Sequence, residues 1–382
     1  MKKLFTVLII CALLLSACSA EDLTGQNTTS AQTVQSNTPG NNSTAVPTTA
    51  DGLQTGSTAP AETSATVSAK VSDYFPLVGD VYMKYRGTGN EYAEYVTYVD
   101  YIRDNKMQIR KNNGGTEAVI VYAIKDGALV RTYIRGEAYY RFDYTSMTQK
   151  EEVLLKEPLE MGTTWILEDG LTRSITAVDK QIETPAGKFS AIEVTTKRKD
   201  STDRDYYSIG TGLVKTEYNS NDATMTVITE LEKIEKDVPY KHTVRFYFPQ
   251  FNKDRTVYME REVEIKTNQD MKWQFQKELK TIPEAGGLTK TLTKNTQVLG
   301  VRLDDENDTV TVDLSSNFVN EMNAGTSLEG MLLSSVTNTF GNYYMKSKVI
   351  ITIDGKPYES GHVLMKQGEA FDVKTEGVVQ YK

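Results

Sequence analysis

The chain has 382 residues, with 51 Asp and Glu against 43 Lys and Arg for a formal net charge of −8, and 39% of it is hydrophobic. That length fits roughly two to three domains, and the acidic balance excludes a protein whose work is gripping phosphate backbones, so no nucleic acid is expected as a partner. A mean hydropathy of −0.44 with a single strongly apolar run excludes a polytopic membrane protein, because each spanning helix needs about 20 consecutive apolar residues.

The apolar run is N-terminal. Lys2-Lys3 precede an apolar stretch from Leu4 to Leu15, which closes on Leu15-Ser16-Ala17-Cys18: a positive start, a core too short to span, and small residues before a cysteine. The arrangement resembles the bacterial lipoprotein signal, whose lipobox is matched by Leu15, Ser16, Ala17 and Cys18. The resemblance implies that residues 1–17 are a signal peptide and that Cys18 is lipidated and becomes the new N-terminus. Two acyl chains would then hold the protein on the extracytoplasmic face of the cell membrane, where one would bind only marginally. Cys11 leaves with the signal, so the mature chain keeps a single cysteine and can form neither an intramolecular disulfide nor a cysteine-based metal site.

Residues 18–70 are Ser, Thr, Asn, Gln, Gly, Pro and Ala with almost no large apolar side chain, as in Gly40-Asn41-Asn42-Ser43. Such a stretch cannot bury enough surface to offset its ordering entropy and is expected to be a disordered tether. Its random-coil reach is roughly 40 Å.

From 71 to 237, short runs of alternating apolar and polar residues are separated by turn signals. The runs are Tyr92 to Ile102, Ala118 to Ile124, Leu129 to Ile134, Ala138 to Phe142, Ser174 to Val178, Ala191 to Thr196, Leu213 to Tyr218 and Thr224 to Leu231. Separators such as Asn113-Gly114, Asp126-Gly127 and Gly210-Thr211-Gly212 predict antiparallel hairpins. The expected fold is an antiparallel β-meander, curved into a half-barrel or flattened sandwich.

The character changes at Lys236-Asp237-Val238-Pro239. Residues 238–382 predict a small mixed α/β domain, which makes the whole chain α+β. Thr243 to Phe248 and Val257 to Ile265 read as strands. Asn268 can cap a helix carrying Met271, Phe275, Leu279 and Ile282, with Pro283 as its stop. Val298 to Leu303 and Thr309 to Leu314 flank an acidic tip, Asp304 to Asp308. Thr326 and Glu329 fit a capping box for a helix that places Leu332, Val336 and Phe340 on one side and ends at Gly341. Val349 to Ile353 with Asp354-Gly355 gives the last clear strand and turn.

The order of strand, helix, Leu279 to Gly286, Thr296-Gln297-Val298-Leu299, Val312-Asp313-Leu314-Ser315 with Phe318, the Leu332 to Thr339 helix, and Ile353-Asp354-Gly355-Lys356 resembles the GerMN domain, over roughly residues 240 to 375. That is the sporulation and spore-germination domain of endospore-forming bacteria. The resemblance implies a role in the sporulating cell envelope, as a structural or assembly component that touches envelope proteins or peptidoglycan. It carries no catalytic residue to any position here.

The residues themselves point to no chemistry. His242 and His362 are the only histidines and stand far apart, so neither a triad nor a zinc centre has local support. Asp304, Glu306 and Asp308 alternate like calcium ligands, but the twelfth position of such a loop is Ser315, which favours a solvated hairpin tip. A wall hydrolase would use paired carboxylates, with Glu321 beside Asp313 as the place to look. Tyr92, Tyr95, Tyr98 and Tyr101 step by three and so fall on alternating faces, and together with Tyr139-Tyr140 they read as ordinary strand composition. The expected protein is a non-enzymatic envelope lipoprotein with no catalytic, metal or cofactor-binding residue and no cofactor. A peptidoglycan-acting hydrolase and an extracytoplasmic carrier of an apolar ligand in the curved β-domain are the alternatives. Partner identity and oligomeric state stay open.

Overall fold

A short helix, α1 (Val71–Tyr74), leads into twelve strands: β1 (Val81–Thr88), β2 (Tyr95–Arg103), β3 (Lys106–Asn112), β4 (Glu117–Lys125), β5 (Ala128–Arg135), β6 (Glu152–Lys156), β7 (Thr164–Ile166), β8 (Thr172–Thr184), β9 (Gly187–Lys197), β10 (Ser201–Ser208), β11 (Gly212–Ser220) and β12 (Thr226–Lys236). The computed structural model describes residues 69–284 and 286–382, which belong to one compact unit. The signal segment 1–17, the lipobox Leu15, Ser16 and Ala17, Cys18, and the expected tether up to residue 68 lie outside the described residues.

The twelve strands form one antiparallel sheet in the order β6-β5-β4-β3-β2-β1-β12-β11-β10-β9-β8-β7. It is the expected meander, with one long-range pairing where Val81 of β1 lies opposite Lys236 of β12. Tight turns hold the register: Asp126 and Gly127, at φ 51° and 66°, join Lys125 to its partner Ala128 in the two-residue turn whose twist suits flanking strands. The sheet curves until its two ends meet. Leu129 and Leu155 from one end share a buried cluster with Trp165, Ile175, Ile192 and Tyr207 from the other. The Trp165 indole N–H donates to the Val153 carbonyl at 3.1 Å, so side chains, not a ladder, join the edges.

Ala138 to Phe142 is a correction: it forms no strand. Its backbone is taken up by buried polar side chains of β3. The Ala138 and Tyr140 carbonyls accept from the Arg110 guanidinium, and the Phe142 carbonyl accepts from Gln108 Nε2 at 2.9 Å. A buried backbone needs partners of some kind, and here side chains replace a neighbouring strand.

The chain continues through β13 (Tyr240–Gln250), β14 (Arg255–Ile265), α2 (Met271–Glu278), β15 (Val298–Asp304), β16 (Thr309–Leu314), α3 (Asn317–Asn320), α4 (Thr326–Tyr344), β17 (Lys348–Ile353), β18 (Lys356–Pro357), β19 (Phe371–Asp372) and β20 (Val379–Gln380). The β13–β14 hairpin takes β20 in parallel on its edge, while α4 connects the parallel strands β16 and β17. The α+β character expected for this half is present, but four helix-end details differ, the first being that α2 ends at Glu278 with Leu279 as its C-cap, so Ile282 lies beyond the helix and Pro283 is not its stop. Asn268 caps no helix: Asp270 does, accepting from the Lys272 N–H at 3.0 Å, and Asn268 instead accepts from the Ile102 N–H at 2.8 Å. Thr326 is already inside α4, which starts from Gly325, and Glu329 turns inward instead of closing a capping box. Gly341 does not end the helix. It sits where a Cβ would come within 2.1 Å of Val373 Cγ2, so its smallness serves a close approach, and Met345 at φ 55° makes the left-handed stop.

One core spans the chain on both sides of residue 237. Val119, Val121 and Tyr133 from the outer face of the meander pack with Val244, Phe246, Phe275 and Phe340. Asp100, fully buried, accepts from Arg110 at 3.1 Å and Arg141 at 2.7 Å, and Arg141 continues to the Lys266 carbonyl at 3.0 Å. Thr267 and Asp80 clasp each other through two backbone N–H donors at 2.7 and 2.6 Å. Removing Asp100 from this junction would leave the Arg141 guanidinium buried without an ion pair.

Candidate functional site

The residues singled out in the sequence do not come together. His242 lies on β13, with Nδ1 3.1 Å from the Tyr240 hydroxyl and its ring edge-on to Tyr343; burial lowers its pKa, and the Arg110 guanidinium adds to this. His362 is exposed in a loop, and its backbone N–H donates to Ser360 Oγ at 3.1 Å. The polar cluster near it centres on Glu329, 1% exposed, which accepts from Tyr358 at 2.8 Å and Ser360 at 2.5 Å. Glu321 accepts from the Asn295 side chain at 2.7 Å, the Asn295 N–H at 3.1 Å and Asn317 at 2.9 Å. Those donors, Asn295 first, pull its pKa down to about 2, the opposite of what a general acid needs. Asp313 accepts from Thr352 at 2.7 Å and the Gly355 N–H at 2.8 Å and so fixes the turn after β17.

Three of the four acidic residues of the tip are tied down. Asp304 accepts from Asn307, Asp308 accepts from the Ser347 N–H, and Asp305 is held by Arg135 of β5 and by Lys346. Among the described residues no group of three or more His, Cys, Asp or Glu is placed to hold a metal ion. Tyr98 packs on Tyr240 at the outer face, whereas Tyr95 faces the inside of the meander and Tyr92 is exposed.

The inside of the meander holds a cavity of about 480 Å³. Strand alternation builds it. On β3, Met107, Ile109 and Lys111 point in while Gln108 and Arg110 point to the C-terminal half; on β4, Ile120 and Tyr122 point in while Val119 and Val121 point out. Tyr85 and Tyr95 stack at 4.5 Å on the wall, and the Tyr85 hydroxyl is spent on the Leu213 carbonyl at 2.9 Å. Lys111 is the one ammonium set deep in this lining. Its Nζ lies 3.7 Å from the Tyr95 ring centroid, and burial pulls its pKa down to about 8. Across the sheet Asp205, whose register partner Thr216 lines the cavity, has its pKa raised to about 6 by burial, with Arg173 opposing. The sequence reading missed Lys111 because a lysine in a strand reads as solvent-facing. The available signal was its register with Met107 and Ile109, which puts it on an apolar face.

Residues 245–359 match the family model described as Germane, sporulation and spore germination, so the GerMN resemblance is borne out for that segment. A comparison with curated proteins gave no match. Among solved structures, the first GerMN domain of the sporulation protein GerM from Bacillus subtilis is 17% identical and covers 35% of this chain and 98% of its own, at a TM-score of 0.26. The tandem GerMN domains of the same protein give 15% identity over 37% of this chain and 48% of theirs, also at 0.26. A protein assigned as exported, with a YmcC-like fold, from Bacteroides fragilis gives 13% identity over 42% of this chain and 98% of its own, at 0.27. Scores of this size leave the family match as the finding that bears on identity. No helix among the described residues is long and apolar enough to cross a membrane.

Proposed function

We propose that this chain is a non-enzymatic, lipid-anchored protein of the cell envelope, with a structural or assembly role in sporulation or germination through contacts with envelope proteins or peptidoglycan. The match of residues 245–359 to the sporulation and spore germination family carries this reading. The tied-down carboxylates support it: Glu321, Asp313 and Asp305 each serve a turn or a junction and none is paired as acid and base. The anchor reading rests on Leu15-Ser16-Ala17-Cys18.

The test is expression of the full chain and its Cys18→Ala variant in a sporulating host fed labelled palmitate. The native chain is expected to take up label and sediment with membranes, and the variant to stay unlabelled and uncleaved or be released. Unlabelled native protein, or a variant that is processed and retained normally, overturns the anchor. Parallel capture against sporulation-envelope proteins and insoluble peptidoglycan identifies the contact. Release of soluble wall fragments by the chain would replace this reading with the hydrolase.

A second reading is favoured by the cavity in the meander, whose volume falls in the range of small-molecule sites. In it the β-rich part carries an apolar ligand outside the cytoplasm.

A further inference from the structure

The cavity is not only apolar; beside the solvent-exposed Lys236 at its rim it contains an enclosed cation, Lys111, with no anion to hold it. Met107, Ile109 and Lys111 occupy successive inward positions of β3, and the third is where an aliphatic residue would complete the wall. The Lys111 ammonium makes no ion pair or hydrogen bond among the described residues, and its contact is the face of Tyr95. A ring face offsets part of the desolvation of an ammonium but fills none of its three donor positions. An unpaired ammonium withdrawn from bulk water into a half-buried site is costly, and a methionine at this position would remove that cost. Elsewhere in the sheet, cations that face inward or cross-strand are matched: Arg173 has Glu152 and Thr196, and Lys215 has Glu217 and Glu230. Lys111 is the enclosed exception; Lys236, the other lysine of the lining, is exposed to solvent opposite Val81.

The shape adds to this. On β12 the lining runs from Thr229 to Lys236, a length of about 23 Å at the rise of a strand, so the space is elongated. Its lining residues are exposed at both ends, Tyr92 by 50% and Val78 by 46%. Lys111 is the penultimate residue of β3 and pairs with Thr97, which puts it toward the Tyr92 end. Met83 lies level with it, Ile109 and Ile120 lie between it and the far end without a charge, and the exposed Lys236 stands at that end.

We propose that the meander binds a single-chain amphiphile with an anionic head, its acid oxygen paired with the Lys111 ammonium near Tyr92 and its hydrocarbon chain laid along Met83, Ile109 and Ile120. This rests on the carrier reading and adds the charge and polarity of the ligand. The carboxylate of a fatty acid and the phosphate of a lysophospholipid share the needed chemistry. An arriving anion supplies the partner that the fold withholds and restores the ordinary basicity of Lys111, whose pKa burial has lowered.

The experiment is calorimetric titration of the full chain carrying Cys18→Ala, which frees it of its own acyl groups, with four probes of equal chain length: laurate, monododecyl phosphate, dodecanol and dodecyltrimethylammonium. One or both anions are expected to bind at one equivalent and at least tenfold more tightly than dodecanol, with the cation weakest; the stronger anion identifies the head. Lys111→Met is expected to lower the anion affinity at least tenfold and leave dodecanol unchanged, and Lys111→Arg to keep most of it. The selectivity of the unsubstituted protein needs no variant to fold. Anions and dodecanol binding equally, with Lys111→Met changing neither, overturns the proposal and leaves the carrier reading standing. No binding of any probe overturns both.

Discussion

Arg110 and Lys111 are neighbours on β3, and the strand turns them to opposite faces of the sheet. Arg110, 1% exposed, has Asp100, Glu117 and two backbone carbonyls around it. Lys111 has a ring face and a cavity. The two positions separate two uses of charge inside a protein. On the outer face the charges are mutual and fix how the meander meets β13, α2 and α4. On the inner face the charge is left open, which costs stability and makes sense where something else completes it.

The largest expected effect comes from the closed face. Asp100→Ala leaves the buried Arg141 guanidinium without an ion pair and takes one of two carboxylates from Arg110, and a loss of about 3 to 5 kcal/mol in urea unfolding is expected. A loss below about 1 kcal/mol would erase the contrast. On the open face the sign reverses: Lys111→Met is expected to stabilise the protein by roughly 1 to 3 kcal/mol near pH 7. The gain has a defined pH window. The folded pKa is about 8 and the ordinary value is 10.5, so between them the unfolded chain binds more protons than the native one. Native stability therefore rises with pH across that interval, and the advantage of the variant fades across it and is gone above it. Tyr85, Tyr95 and Tyr122, which face the same space, are all pushed upward by burial, Tyr122 to about 12, so they stay neutral there. Unfolding midpoints of both proteins at several pH values between 6 and 11 decide it, and a destabilised variant would sink the idea. The smallest effect belongs at the rim. Arg135 and Asp305 join β5 to the β15–β16 tip, but Asp305 is 47% exposed, so Arg135→Ala should cost only about 0.2 to 1 kcal/mol. Asp305 is held near a pKa of about 2, by Arg135 first, so this contribution is present above the ordinary carboxylate value and is lost as pH falls through 2.

Much of the architecture was legible because turns announce themselves. Asp126, Gly127, Gly210 and Gly212 adopt the positive φ values their residue types suggest, and the runs between these turns pair as expected. The C-terminal helices and the β15–β16 hairpin followed from spacing and the acidic tip. What escaped was decided by distant partners. Ala138 to Phe142 alternates like a strand, yet Arg110 and Gln108 supply its hydrogen bonds from another part of the chain. Strand β3, Lys106-Met107-Gln108-Ile109-Arg110-Lys111-Asn112, was passed over because its polar residues hide its apolar ones, although one face is a polar junction and the other a cavity wall. Thr326 and Asn268 carry cap chemistry but sit one step inside α4 and two residues short of Asp270, a distinction that only the folded backbone makes. Lys111 could not be separated from a surface lysine without knowing which side of β3 is enclosed.

The pairing of β1 with β12 has a mechanical consequence. Chain entry at Val81 and exit at Lys236 lie side by side, so tension applied between Lys70 and Tyr240 would act at one end of that pair and peel its rungs singly. The Asp80–Thr267 clasp stands directly before Val81 and ties the entry point to the segment after β14. Pulling force would thus enter the sheet at a seam whose Val81, Met83, Ile234 and Lys236 also line the cavity, so a load on the chain would be felt first in the wall of that space.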